Sequence, residues 1–346
     1  MSDFSLTLIR WFRENGRDLP WRHTRDPYAI WLSEIILQQT QVKQGWDYWE
    51  RFMRRWPKVE DLAAASEDEV LREWQGLGYY SRARNLHYAA RQIVGLGHFP
   101  DTLEEIKALK GVGDYTAAAI GSIAFGLPAA VVDGNVYRVL ARHFGIDTPI
   151  NTTEGKKTFV ALAQSLLPSP PDSSTYNQAI MDFGAIQCTP ALPNCVKCPL
   201  IETCEAFRSA SVNQLPVKLK TIKVRERHLT YLYIRWQGKV AIHRRGVGDI
   251  WQGLWEPLVQ ETEKEVDIKG KVTVLKRAVK HVLTHQVLLA DFLLLEPEVQ
   301  PQLLADYQWV PEESLDDYAV PRLVEHLFEA VRINDEKSYQ RVSSSL

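Results

Sequence analysis

The sequence predicts two domains of different class, an all-α domain followed by a smaller α+β domain. Three observations predict it. The chain has 346 residues, too many for one small module and a fit for two domains of ordinary size. Up to about residue 208 apolar residues recur at helical spacing between cap signals. Beyond Pro216 the pattern changes to β-branched and aromatic runs broken by turn residues.

The elements follow in chain order. Residues 3–14 place Phe4, Leu8, Trp11 and Phe12 on one helical stripe. Asp26 followed by Pro27 is an N-cap with proline at the first helical position, and the run to Val42 has few breakers. Ser66 with Glu69 three residues later is a capping box opening a short helix. Asp101-Thr-Leu-Glu-Glu opens another that ends at Gly111, and helical patterns continue over 114–125, 134–144, 153–167 and 173–186. The segment Leu167-Pro-Ser-Pro-Pro-Asp172 is a breaker-rich loop. Strands are expected over 229–236 and 239–243, joined as a hairpin by Gln237-Gly238, then over 272–275 and 285–295, with a closing helix over 321–333. The expected division is a helical domain over 1–208, a basic linker over 209–227 and an α+β domain over 228–346.

Composition narrows the class. The chain is 45% apolar and 24% charged, enough to bury a core and remain soluble. It has no run approaching the roughly 18 apolar residues of a membrane span. Its first residues are charged where a secretion signal needs an apolar core, so a cytoplasmic protein without membrane association is expected, with a monomer as the expected state. Lys and Arg number 41 against 43 Asp and Glu, a formal charge of −2 that argues against a nucleic-acid partner when read as an average. Locally the charge is segregated. Residues 216–280 hold 15 basic and 7 acidic residues, residues 281–346 hold 4 and 12, and residues 77–99 contain Arg82, Arg84 and Arg91 and no acid.

All four cysteines fall in one segment, Cys188-x6-Cys195-x2-Cys198-x5-Cys204. Disulfides suit small secreted domains. Structural zinc usually takes two close-spaced pairs, and Cys195–Cys198 is a single such pair. A [4Fe–4S] cluster needs four converging thiolates, which a looped segment of this length supplies. Spacing chemistry leaves cluster and zinc both open.

Two further segments carry chemistry. Leu109-Lys-Gly-Val-Gly-Asp-Tyr-Thr-Ala117 lies between helical patterns, and Gly111 and Gly113 allow positive φ and bare backbone N–H groups at a helix start, an anion site. The same pattern also suits a plain helical corner with a C-cap glycine. Two acids sit in apolar surroundings, Glu34 in Ile30-Trp-Leu-Ser-Glu-Ile-Ile-Leu and Asp133 in Ala129-Ala-Val-Val-Asp-Gly-Asn-Val. A carboxyl amid apolar neighbours holds its proton to higher pH. Glu34 facing water, or Asp133 as the N-cap of the helix from Gly134, is the plainer alternative.

The cysteine spacing resembles the cluster loop of the helix-hairpin-helix, endonuclease III-like and adenine-specific (MutY-type) DNA glycosylases; Leu109 to Ala117 resembles their hairpin, which binds DNA without reading sequence. The resemblance implies an all-α helix-hairpin-helix glycosylase domain with a [4Fe–4S] loop at 188–204, held by Cys188, Cys195, Cys198 and Cys204. Trp31-Leu-Ser-Glu-Ile-Ile-Leu-Gln-Gln-Thr-Gln-Val42 is similar to the family segment whose acid protonates adenine, which implies that role for Glu34. Val132-Asp-Gly-Asn-Val-Tyr-Arg-Val139 is similar to the catalytic Asp loop, implying that Asp133 stabilises the sugar cation and Asn135 orients the site. Strand-cutting relatives carry a lysine where this chain has Tyr115, and a phenol forms no imine with the sugar; a monofunctional glycosylase is therefore expected. By the same resemblance Gln39 is the wedge inserted on base flipping, Leu77 and Tyr79 contact the partner base, and Trp21 and Arg22 of Leu19-Pro-Trp-Arg22 belong to the adenine pocket.

Gly246-Val-Gly-Asp-Ile-Trp-Gln-Gly-Leu-Trp-Glu-Pro257 resembles the loop of Nudix-like folds, yet the chain after residue 216 lacks the clustered Glu signature that would hold Mg²⁺. The implied C-terminal domain is α+β and Nudix-like, kept for binding. Where the family usually has Phe-Ser-His, this chain has Leu283, Thr284 and His285, which by resemblance recognise 8-oxoguanine opposite the adenine. The expected partner is double-stranded DNA containing A:8-oxoguanine or A:G mispairs, met on chromosomal DNA. Three other readings compete. An endonuclease III-like lyase wants a lysine at 115 and no second domain, a Nudix hydrolase wants the missing Glu cluster, and an iron–sulfur DNA-binding protein without activity leaves Glu34 and Asp133 unexplained.

Overall fold

The computed structural model describes residues 1–220, 223–261, 269–302 and 305–343. The chain divides into two compact units, residues 1–64 with 85–220, and residues 65–84 with 221–346. The segment 65–84, read from the sequence as part of the helical domain, thus groups with the C-terminal sheet, and the stretch to residue 220 groups with the helices. The cause is long-range pairing that local patterns do not reveal: Gln75 bonds Glu325 and Arg244 bonds Glu67. Positions 221–222 of the expected linker lie outside the described residues.

The helices are α1 (Asp3–Asn15), α2 (Pro27–Leu37), α3 (Val42–Arg55), α4 (Val59–Ala64), α5 (Glu67–Trp74), α6 (Ser81–Leu96), α7 (Leu103–Ala108), α8 (Asp114–Phe125), α9 (Gly134–Phe144), α10 (Thr153–Leu166), α11 (Asp172–Asp182) and α12 (Glu205–Arg208). Caps explain many of their starts. Asp26 accepts from the Tyr28 N–H with Pro27 behind it, and Ser66 with Glu69 forms the expected capping box. The expected run to Val42 stops at Leu37, because Gln39 turns left-handed at φ 58°, and α3 starts afresh at Val42. Likewise α11 ends at Asp182 and passes into a π-turn over Phe183–Gln187. The first unit buries a core that includes Leu8, Val131, Leu140, Phe159, Tyr176 and Ile180.

The second unit is built on a six-stranded sheet in the order β4-β5-β1-β3-β2-β6, with β1 Arg225–Trp236, β2 Lys239–Arg244, β3 Trp255–Gln260, β4 Gly270–Val282, β5 Gln286–Pro297 and β6 Tyr307–Pro311. β1 and β5 run parallel; the remaining pairs are antiparallel. The β1–β2 hairpin pairs Trp236 with Lys239 across Gln237 (φ 48°) and Gly238 (φ 71°), two left-handed residues as the tightest hairpin turn requires. Helix α13 (Arg322–Ser343) covers one face, where Leu323, Val324 and Leu327 meet Tyr231, Tyr233 and Phe292. Among the described residues no helix is long and apolar enough to cross a membrane.

Candidate active site

Positions 28–36 of α2 are all buried, so Glu34 has no water-facing side to choose and is 8% exposed. Its Oε2 accepts from the Tyr115 hydroxyl of α8 at 3.0 Å. Burial pushes the Glu34 carboxyl up to about 7; Tyr115 opposes that rise, and the Asp133 charge adds to it. Burial likewise holds the Tyr115 phenol well above its usual value, with Glu34 and Asp133 adding to the effect. Near pH 7 a large share of Glu34 is therefore still the neutral acid, beside a neutral phenol.

Asp133 is the N-cap of α9, as its position before Gly134 suggests, and its two oxygens are fixed separately. Oδ1 accepts from the Val136 N–H at 2.8 Å, and Oδ2 accepts from Asn135 Nδ2 at 2.8 Å. Burial raises its pKa, and these two donors hold it down. From Asn135 the bonding continues through Arg138, whose Nη2 donates to Asn135 Oδ1 at 2.8 Å and whose Nε donates to the Cys188 carbonyl at 2.6 Å. Arg138 also donates to the Gly184 carbonyl. Gly184 must be glycine: a Cβ there would lie 2.6 Å from Asn135 Cβ. Glu34, Tyr115, Asp133 and Asn135 are thereby gathered at one place in the first unit.

The four cysteines are unpaired and line one cavity together with Arg142, Gln187 and Ile201. Arg142, 3% exposed one turn after Arg138, donates to Cys188 Sγ at 3.4 Å and to the carbonyls of Thr189, Pro190 and Leu215. Among the described residues no three His, Cys, Asp or Glu side chains close tightly enough on one point for a single metal ion. Four thiols around a shared cavity form an all-sulfur donor set, which fits an iron–sulfur cluster or another thiophilic centre. Burial pushes the Cys198 thiol up to about 11, with the neighbouring cysteines adding. Sequence reading missed Arg138 and Arg142. Their signal was available as two arginines four apart on an otherwise apolar helix face.

The DNA-facing expectations divide. Gln39 is exposed on its left-handed turn, a conformation a non-glycine residue holds only at some cost. Gly111 (φ 82°) is required, since a Cβ would meet Asn85 at 2.8 Å. Gly113 sits at φ −99° as the N-cap of α8 with open space around it, so the positive φ that glycine allows is used at Gly111 and not here. Trp21 is buried edge-on to Trp46 and Trp49, and Arg22 makes a two-pronged pair with the fully buried Asp182 at 2.8 Å per bond.

In the second unit Gly76 and Gly78, both left-handed, turn the chain so that Leu77 is buried and Tyr79 (φ 48°) is exposed. The Tyr79 hydroxyl meets the Thr284 hydroxyl at 2.8 Å, so two residues 205 apart in sequence share one surface. His285 is exposed beside them, while Leu283 packs toward the sheet core.

Comparison with known proteins gives matches over both units. Residues 32–164 match the family described as HhH-GPD superfamily base excision DNA repair protein, and residues 230–330 match the NUDIX domain. An adenine DNA glycosylase of Mus musculus is 45% identical over 223 residues, covering 61% of this chain and 43% of the mouse protein, so the chain spans less than half of that relative's length. An adenine DNA glycosylase of Buchnera aphidicola subsp. Schizaphis graminum is 33% identical over 73% of both chains. The solved structure of a thermostable thymine-DNA glycosylase is 34% identical, with a TM-score of 0.56, over 60% of this chain and 95% of that one.

Proposed function

This chain belongs to the adenine DNA glycosylase family, and we propose that it removes adenine mispaired with 8-oxoguanine or guanine in duplex DNA, leaving an abasic site without cutting the strand. The observation that carries the reading is the buried Glu34 carboxyl, pushed up to about 7 and bonded to Tyr115 in a site that also holds Asp133.

Breaking an N-glycosidic bond sends its electron pair to the base and leaves an oxocarbenium-like sugar. Glu34, still protonated near neutral pH, gives its proton to a ring nitrogen of adenine as the bond breaks. Asp133, with both oxygens already held by Val136 and Asn135, presents its negative charge to the sugar cation without needing to reorganise. The Glu34 carboxylate then takes a proton from the attacking water, which restores the acid. Tyr115 orients Glu34 and, being a phenol, forms no Schiff base with the sugar. Cys188, Cys195, Cys198 and Cys204 would hold a [4Fe–4S] cluster, which when bound supplies a cross-link for the loop and a redox-capable centre. Gln39 fills the stack left by the flipped base, Gly111 and Gly113 serve phosphate, and Tyr79, Thr284 and His285 face the partner purine.

Purified protein incubated with duplexes holding A opposite 8-oxoguanine, A opposite G, T opposite G and thymine glycol opposite A tests the reading. The T:G duplex is included because a thymine-DNA glycosylase is similar over the helical part. Alkali-dependent cleavage confined to the two adenine mispairs supports the proposal. Cleavage without alkali, or excision of thymine or thymine glycol in place of adenine, overturns it.

A further inference from the structure

Arg227 on β1 is a charged side chain 9% exposed, and all five of its N–H donors are used. Nε donates to Glu261 at 2.7 Å, Nη1 to Asp249 at 2.7 Å and to Gln286 at 3.1 Å, and Nη2 to Asp249 at 2.9 Å and to Glu261 at 2.7 Å. One planar guanidinium thus fixes the loop after β2, the end of β3 and the first residue of β5. Nothing in the glycosidic chemistry requires it.

The partners lead to one place. Gln286 directly follows the Leu283-Thr284-His285 segment, whose turn is closed by the Leu283 N–H on the Gln286 carbonyl at 2.8 Å and tied to β1 by the Arg225 N–H on the His285 carbonyl at 3.0 Å. On the other side, Asp249 also takes Arg245 at 2.8 Å and starts the turn that carries Trp251. Trp251 sits in a left-handed conformation (φ 60°) with its ring edge-on to His281 at 5.7 Å, on the strand that enters the same turn. Arg227 therefore grips the outgoing flank directly and the incoming flank through Asp249 and Trp251. The Thr284 hydroxyl that results is placed 2.8 Å from Tyr79.

We propose that Arg227 is a positioning residue for the 283–286 turn, setting where Thr284 and His285 meet the oxidised purine opposite the adenine. The inference rests on the reading of that turn given above. A fork of five donors is needed because one ammonium has three and no planar geometry, so lysine keeps the charge and loses the register. Asp249 and Glu261 are 40% and 39% exposed, so they rehydrate when Arg227 is removed, and the domain keeps its fold while the turn loses its clamp.

The test compares Arg227→Met, Arg227→Lys and the milder Gln286→Ala with wild type. It reads the ratio of single-turnover excision rates for A opposite 8-oxoguanine over A opposite G, with thermal unfolding of each variant. A displacement of about an ångström costs up to about 100-fold at a shaped site, so Arg227→Met is expected to lower the ratio by about 10- to 100-fold. Arg227→Lys falls nearly as far, and Gln286→Ala moves in the same direction by less. Equal loss on both duplexes, or a ratio restored by Arg227→Lys, overturns the proposal, and Gln286→Ala decides it where Arg227→Met unfolds. A wild type that excises adenine from neither duplex overturns the functional reading and this inference together; a wild type with no preference for 8-oxoguanine, or one whose preference survives in all three variants, overturns the inference alone.

Discussion

The Tyr115 hydroxyl donates to Glu34 Oε2 across 3.0 Å and lies 3.4 Å from the sulfur of Met181. This contact works against burial: the desolvated carboxyl is driven toward its neutral form, and the phenol restrains the rise by solvating the anion. In the proposed reaction the acid is thereby set near the pH at which it gives and retakes a proton.

Excision by the wild type should fall above about pH 7 as Glu34 loses its proton. Tyr115→Phe removes the hydrogen bond that, ahead of the Arg22 charge, lowers its pKa, so that descending limb should move to higher pH. Single-turnover excision measured across pH decides the point. A limb that stays in place, or moves down, contradicts the assigned hydrogen bond.

Tyr115→Lys places an amine where the phenol meets Glu34. The variant should gain alkali-independent strand cleavage and become trappable on DNA by borohydride, as an imine with the opened sugar would be. Purified variant that nicks no more than wild type would mean that position 115 does not reach the sugar.

Stability carries the same signature. Glu34 has an ordinary value of 4.5 and titrates at about 7 in the fold, so between these values the folded chain holds a proton that the unfolded chain has released. This contribution to stability is fully present below 4.5 and is lost as pH rises to 7, reaching as much as about 3 kcal/mol. Glu34→Gln should therefore exceed wild type in stability most at pH 8 and least at pH 5, by denaturant unfolding. A difference that is flat with pH contradicts the buried neutral acid.

Two glycines should behave oppositely. Gly184→Ala forces a Cβ against Asn135 and should cost about 1–3 kcal/mol and reduce excision, because Asn135 holds Asp133. Gly113→Ala, at φ −99° with open space, should stay within about 1 kcal/mol of wild type in stability. Thermal unfolding of both checks the pair, and equal behaviour would refute the packing described.

Much of this was legible in the sequence where local chemistry decides. The Ser66–Glu69 capping box, Pro27 behind Asp26 and the Gln237-Gly238 hairpin all formed as their residues require. The acids in apolar runs were legible as unusual, and the four cysteines as a single site. What was not legible depends on distant partners. Arg138 and Arg142 gain meaning only where α9 meets the cysteine loop, and Arg227 only where three segments converge. Residues 65–84 join the sheet through bonds to residues more than 150 positions away. Strands β3 and β6 were missed because they are short, six and five residues, and lack a clear alternation.

The most direct measurement is adenine excision and duplex binding by Glu34→Gln, side by side with wild type on A opposite 8-oxoguanine. If Glu34 is the proton donor, excision is lost and affinity for the mispaired duplex stays close to wild type, because an amide keeps the shape and the Tyr115 contact. Retained excision, or binding lost in proportion to activity, contradicts the account and leaves Glu34 a structural residue of α2.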